Sequence, residues 1–164
     1  QHVGPVLESL RTHTRETVLI AQRVDDLAMI LDLYESPEYI RYSAQVGELR
    51  PLYSTAIGKA LLAAMKHDEL HRFLKSVEMN AVTPSTVIDR GELERHLDEG
   101  RTRGWYAADA ENIPDLFGVA ATIDFEGQVF AIAVAGPLNR MKDNLSKNVA
   151  SMLDAVKRLE VLTA

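Results

Sequence analysis

Two runs of β-forming or small apolar residues, GVAATIDF at 118–125 and QVFAIAVAG at 128–136, are separated by Glu126 and Gly127 alone. A two-residue connection of this kind demands positive φ, which Gly adopts without strain, so the pattern reads as a β-hairpin. A chain that commits to an antiparallel hairpin has to bury at least one of its faces under other elements. Period two places Leu116, Gly118, Ala120 and Thr122 on one face of the first strand, and Ala131, Ala133 and Ala135 on one face of the second. Side chains this small leave volume above the sheet. Either helix residues close-pack into it, or it stays open as a cavity for a ligand.

Residues 5–15 place Val6, Leu7 and Leu10 at helical spacing behind Pro5, which suits a first helical turn. From Thr17 the pattern becomes two β-rich runs, TVLIAQR and LAMILDLY, with Asp25 and Asp26 as the turn between them. YIRYSAQV at 39–46 is expected to be a third strand. Pro51 interrupts regular structure, after which Ser54 or Thr55 caps a helix expected to reach about Met65. HDELHRFLKSV continues as a second short helix, and Asp89 caps a third that Gly104 stops. WYAADAE is a further strand ahead of the hairpin. A closing helix spans about Lys142 to Leu162, with Leu145, Val149, Met152, Leu153, Val156 and Leu159 in one stripe. Helix, three strands, helices, three strands, helix predicts an α+β fold: an antiparallel sheet with helices on one or both faces, the first and last helices sharing one.

At 164 residues the chain is expected to be one domain, residues 1–164. Its formal charge of −6 disfavours direct contact with phosphate backbones. No cysteine occurs, which removes disulfides and thiolate chemistry and fits a reducing compartment, so the cytoplasm is the expected location. No run approaches the ~20 apolar residues of a membrane helix. The start at Gln1, without an initiator methionine, suggests a fragment of something longer.

Motifs for chemistry are weak. HDELH places His67 and His71 four apart, but Asp68 stands where a metalloprotease helix needs Glu, and no third ligand follows, so solvated helix surface is expected and no metal. Gly58-Lys59 is not a phosphate loop: Tyr53 stands where the first glycine would be, and Ala60 where a hydroxyl residue would be. Lys59 then reads as a surface or interface cation. Ser54, Ser85 and Ser151 lie in no nucleophile-elbow context. Asp109 and Glu111 alternate on one strand face, where solvent-facing charge is the expectation rather than acid–base work.

Three stretches in this order, PLYSTAIGKALLA (51–63), TRGWYAADAENIPDLFGVAA (102–121) and EGQVFAIAVAGPLNR (126–140), resemble the effector domain of the IclR family of bacterial transcription regulators. The resemblance covers nearly the whole chain. It implies a GAF-like (profilin-like) fold: a curved, mainly antiparallel six-stranded sheet with a ligand pocket on one face and helices on the other. It also implies a sensing domain rather than an enzyme, with no catalytic residue and no cofactor. An N-terminal winged helix-turn-helix outside this chain would carry DNA binding, in a dimer or a dimer of dimers.

In the family, ligand carboxylate oxygens are held at the start of the helix carrying GKA, which maps here to Ser54, Thr55, Ala56 and Ile57. A helix N-terminus suits an anion on physical grounds as well. Leu116, Gly118, Thr122, Ala133 and Ala135 would floor the pocket, with Ala108 beside them. Arg50 could pair with a carboxylate and Tyr42 could stack or donate, although a solvent-facing arginine and an ordinary core tyrosine are the plainer readings. Relatives that bind small keto acids carry an acidic residue at the position of Ala108 and serines at those of Ala133 and Ala135. Losing these groups favours an aromatic or partly apolar carboxylic acid. The rival expectations are a small enzyme using Asp109, Glu111 or a histidine, and a GAF-like dimerisation module with a filled core.

Overall fold

The computed structural model describes residues 3–163. In chain order the elements are α1 (Val3–Thr14), β1 (Thr17–Val24), β2 (Leu27–Tyr34), β3 (Leu49–Pro51), α2 (Ala56–Ala63), α3 (His67–Ser76), α4 (Arg90–Arg103), β4 (Tyr106–Asp109), β5 (Leu116–Phe125), β6 (Gln128–Pro137), α5 (Leu138–Asp143) and α6 (Leu145–Thr163). The strands form one six-stranded sheet in the order β3-β2-β1-β6-β5-β4, every neighbouring pair antiparallel. It curls into the expected α+β half-barrel. The β5–β6 hairpin turns on Glu126 and Gly127, both at positive φ (52° and 82°), a geometry that matches the twist of the strands it joins.

The two faces of the sheet are chemically unlike. One presents Val18, Val119, Ile123, Ile132 and Val134, branched residues that pack under α1 and α6 through Leu7, Leu10, Met152 and Leu159. The other presents Leu19, Ala21, Ala28, Ala120, Ala131 and Ala133, and receives Ile57, Ala60 and Leu61 of α2 with Leu93 and Leu97 of α4 behind them. Small residues on this second face let α2 lie close to the strands: a Cβ built on Gly118 would sit 3.5 Å from the Ala56 Cβ. Close-packing therefore fills part of this face, over Ala120 and Ala131, as one of the two sequence expectations held.

Helix limits follow capping chemistry. Thr55 accepts a bond from the Gly58 amide (3.0 Å) and Asp89 one from the Glu92 amide (2.9 Å), so each satisfies an amide that lacks an intrahelical acceptor. Gly104 ends α4 in the left-handed region at φ 89°. Gly58 is fixed by contact: a Cβ there would lie 2.3 Å from the Leu52 carbonyl oxygen. Gly58→Ala is expected to lower stability by ~1–3 kcal/mol, because rigid backbone has to move. An unchanged urea midpoint would show that this turn gives way freely.

Two expectations need correction. YIRYSAQV is not a strand: residues 39–46 run as irregular chain, Tyr39 and Ile40 are exposed, and the third strand is Leu49–Pro51. The backbone of 39–46 is held by side chains instead, through Thr17 Oγ1 to the Tyr42 carbonyl (2.6 Å) and Arg140 Nη2 to the Ile40 carbonyl (2.8 Å). The closing helix is two helices, α5 and α6, divided at Asn144, whose side chain donates to the Arg140 carbonyl (2.9 Å). Arg140 also binds Glu16 through two bonds of 2.7 Å. Glu16 is 2% exposed, so this pair seals the junction of β1, β6 and α5.

Candidate functional site

The end of the small-residue face that α2 leaves uncovered forms a recess. The tip of α2 bounds it above. Below lie Leu19 of β1, Leu116 and Gly118 of β5, and Ala133 and Ala135 of β6. Register explains the floor, since Gly118 pairs with Ala135 and Leu19 with Ala133, bringing these side chains to one face. Tyr42, Arg50, Ser54, Thr55, Ala56, Ile57 and Ala108 complete the set expected from sequence. Thr122 does not join them. It shares the face but pairs with Ala131, nearer the hairpin turn, and lies outside the recess. Leu19, Glu111, Asn112 and Ile113 line it without having been expected to.

The wall at the helix tip is polar and fixed. Thr55 donates to the Pro51 carbonyl (2.6 Å) while it caps α2, tying the preceding loop to the helix. The amides of Ala56 and Ile57 occupy the first helical positions, where no intrahelical acceptor exists. Ser54 is completely buried, and its Oγ has no hydrogen-bond partner among the described residues. Arg50, on β3 and mostly covered, binds Glu48 (2.7 Å) and the Tyr42 hydroxyl (3.2 Å). Burial works against its charge, but the bonds to Tyr42 and Glu48 outweigh it and hold the guanidinium pKa above its ordinary value. It is therefore a placed arginine with one carboxylate partner already, and not a loop cation in solvent.

Behind the recess lies a second correction. Lys59 is 1% exposed and Glu111 4%, and they form an ion pair of 2.7 Å. Neither is the surface charge expected from local sequence. Lys59 Nζ also donates to His96 Nδ1 (2.9 Å) and the Ala107 carbonyl (3.3 Å). Burial draws the Lys59 pKa down against the pull of Glu111. Burial and then the Lys59 charge lower that of His96, which keeps the imidazole neutral and its Nδ1 free to accept. Asp109 does behave as expected, half exposed and paired with Lys142 at 2.9 Å.

Glu111 begins a short strap, residues 111–114, that closes one side of the recess. Ala110 (φ 55°) and Asp115 (φ 61°) flank it in the left-handed region that non-glycine residues seldom adopt. Thr83 Oγ1 donates to the Ala110 carbonyl and Thr86 Oγ1 to the Glu111 carbonyl, each at 2.6 Å. The recess is open on one side and its free volume is about 50 Å³. Small-molecule pockets usually exceed ~300 Å³, so this one is narrow.

A larger groove of about 760 Å³ runs between α3 and α4, lined by Leu70, Leu74, Leu97, Arg101 and the exposed His67 and His71. None of the buried polar atoms without a partner lies on it, whereas two of the three among the described residues, Ser54 Oγ and Glu111 Oε1, belong to residues lining the recess. The recess is accordingly the better candidate. Among the described residues no cluster of three or more metal-ligating side chains occurs, and no helix is long and apolar enough to cross a membrane.

Comparison with known proteins agrees with this architecture. Residues 1–159 match the family model for the bacterial transcriptional regulator IclR C-terminal domain. The HTH-type transcriptional repressor AllR of Klebsiella pneumoniae is 31% identical over 140 residues, covering 84% of this chain and 52% of that protein. AllR of Escherichia coli K12 is 29% identical over 143 residues, covering 86% and 53%. The chain thus spans about half the length of the curated relatives it matches. Among solved structures, the C-terminal domain of the E. coli transcriptional regulator KdgR superposes with a TM-score of 0.84 at 25% identity, covering 97% of this chain and 94% of that one. An IclR homologue from Microbacterium hydrocarbonoxydans, complexed with 4-hydroxybenzoate, superposes with a TM-score of 0.87 at 24% identity, covering 97% and 65%. These relatives are transcriptional regulators, not enzymes.

Proposed function

Since the chain belongs to the IclR family of bacterial transcriptional regulators as its C-terminal, effector domain, we propose that its recess senses a small carboxylic acid with an aromatic or partly apolar body. The observation that carries this reading is the buried, unpartnered Ser54 Oγ beside the free amides of Ala56 and Ile57. A carboxylate seated there receives the hydroxyl, the amides and the positive end of the helix dipole together, with Arg50 at the rim. The apolar body then rests on Gly118, Ala133, Ala135 and Leu116. The bound 4-hydroxybenzoate of the Microbacterium hydrocarbonoxydans homologue supports this chemical class.

A 50 Å³ space has to widen before such an acid fits. Acid binding therefore favours an opened strap over the contracted one, and that difference in affinity is what a sensor needs: a ligand binding both states equally shifts nothing. In the full-length protein, cytoplasmic and assembled as a dimer or a dimer of dimers, the shift alters DNA binding by an N-terminal winged helix-turn-helix.

Thermal unfolding of the purified chain in the presence of benzoate, phenylacetate and their amides tests the reading. The acids are expected to raise the midpoint and the amides to leave it unchanged. Ala133→Trp is expected to fill the recess and weaken acid binding by roughly a hundredfold or more, with the circular dichroism of the fold retained. Undiminished affinity would remove this sheet face from the site. Conversion of an acid into product by the chain would replace sensing with catalysis.

A further inference from the structure

Resting on that reading of the recess, we infer that Glu111 selects acids that also carry a hydrogen-bond donor, a hydroxyl or N–H group. Glu111 Oε2 is engaged by Lys59 at 2.7 Å and by the Asp109 amide at 3.4 Å, while Oε1, buried on the same carboxylate, has no partner. An ionised carboxylate oxygen accepts and cannot donate, so only a donor satisfies it, and leaving it bare destabilises the site. Ser54 answers to the acid end of the ligand, whereas Glu111 Oε1 answers to nothing among the described residues.

Two further features suit Glu111 to this role. Its charge is balanced by Lys59, so a recess built for an anion tolerates a carboxylate in its wall. Its backbone is pinned by Thr86, and that of its neighbour Ala110 by Thr83, so the acceptor is held in place before the ligand arrives. The ligand so defined has an acid group for the helix tip, an apolar body for the alanine floor, and a donor for Glu111.

Calorimetric titration of the wild-type chain with benzoate, the three hydroxybenzoates, and the corresponding aminobenzoates and methoxybenzoates tests the inference. At one ring position the hydroxy acid is expected to bind roughly tenfold or more tighter than benzoate. The amino acid at that position, which also donates, keeps most of this gain, and the methyl ether, which cannot donate, loses it. In Glu111→Gln the gap between hydroxyl and ether closes, because an amide donates as well as accepts. Equal affinities for hydroxy and methoxy acids at every position would overturn the role of Glu111 while leaving acid recognition standing. Failure of every acid to bind would overturn both.

Discussion

Lys59→Met is expected to destabilise the domain by ~3–5 kcal/mol, read as a lowered midpoint in urea, because it strands the Glu111 carboxylate in the protein interior. Adding Glu111→Leu removes the stranded charge, and the double variant should recover much of the loss at neutral pH. A single variant unfolding at the wild-type midpoint would mean that Glu111 finds solvent.

Arg140→Ala carries a comparable loss, ~3–5 kcal/mol, for the same reason at a different place. Glu16, at 2% exposure, would lose both bonds that satisfy it, and the Ile40 carbonyl would lose its donor. The converse change should be milder: the Arg140 side chain is 30% exposed and can hydrate when Glu16 is replaced by Gln. Amide hydrogen exchange should also quicken over residues 38–42 in Arg140→Ala. Equal losses from the two substitutions, with no local change in exchange, would show that the pair does not tether this loop.

The fold was legible wherever local chemistry decides. The two residues between the hairpin strands, the caps Thr55 and Asp89, and the stop at Gly104 act within a few positions of themselves, and each lies where the pattern put it. Residues 39–46 misled because Tyr, Ile and Val favour strands only when a neighbouring strand accepts their backbone, and here side chains do that work. The division at Asn144 left no mark in the apolar stripe, which runs through α6 alone.

The same distinction governs the site. The positions of the helix tip and the alanine face were readable because capping and period two are local rules, while their reading as a ligand site came from the resemblance to the family. Glu111 was not, since its partner Lys59 is 52 residues away and nothing nearby signals burial. The consequence is chemical: alanines in place of serines described a drier pocket, but a carboxylate from the strap supplies polarity that the floor lacks. Thr122 shows the opposite limit, where period two finds the right face but not how far along it the recess extends.

Both margins of the sheet are stubs. β3 is three residues long and ends in Pro51, which has no amide hydrogen to offer, and β4 is four residues long and ends in Asp109. Neither presents a strand long enough to act as a template on which a neighbour's backbone could zip. Association of copies by strand-to-strand pairing at either edge is thereby disfavoured.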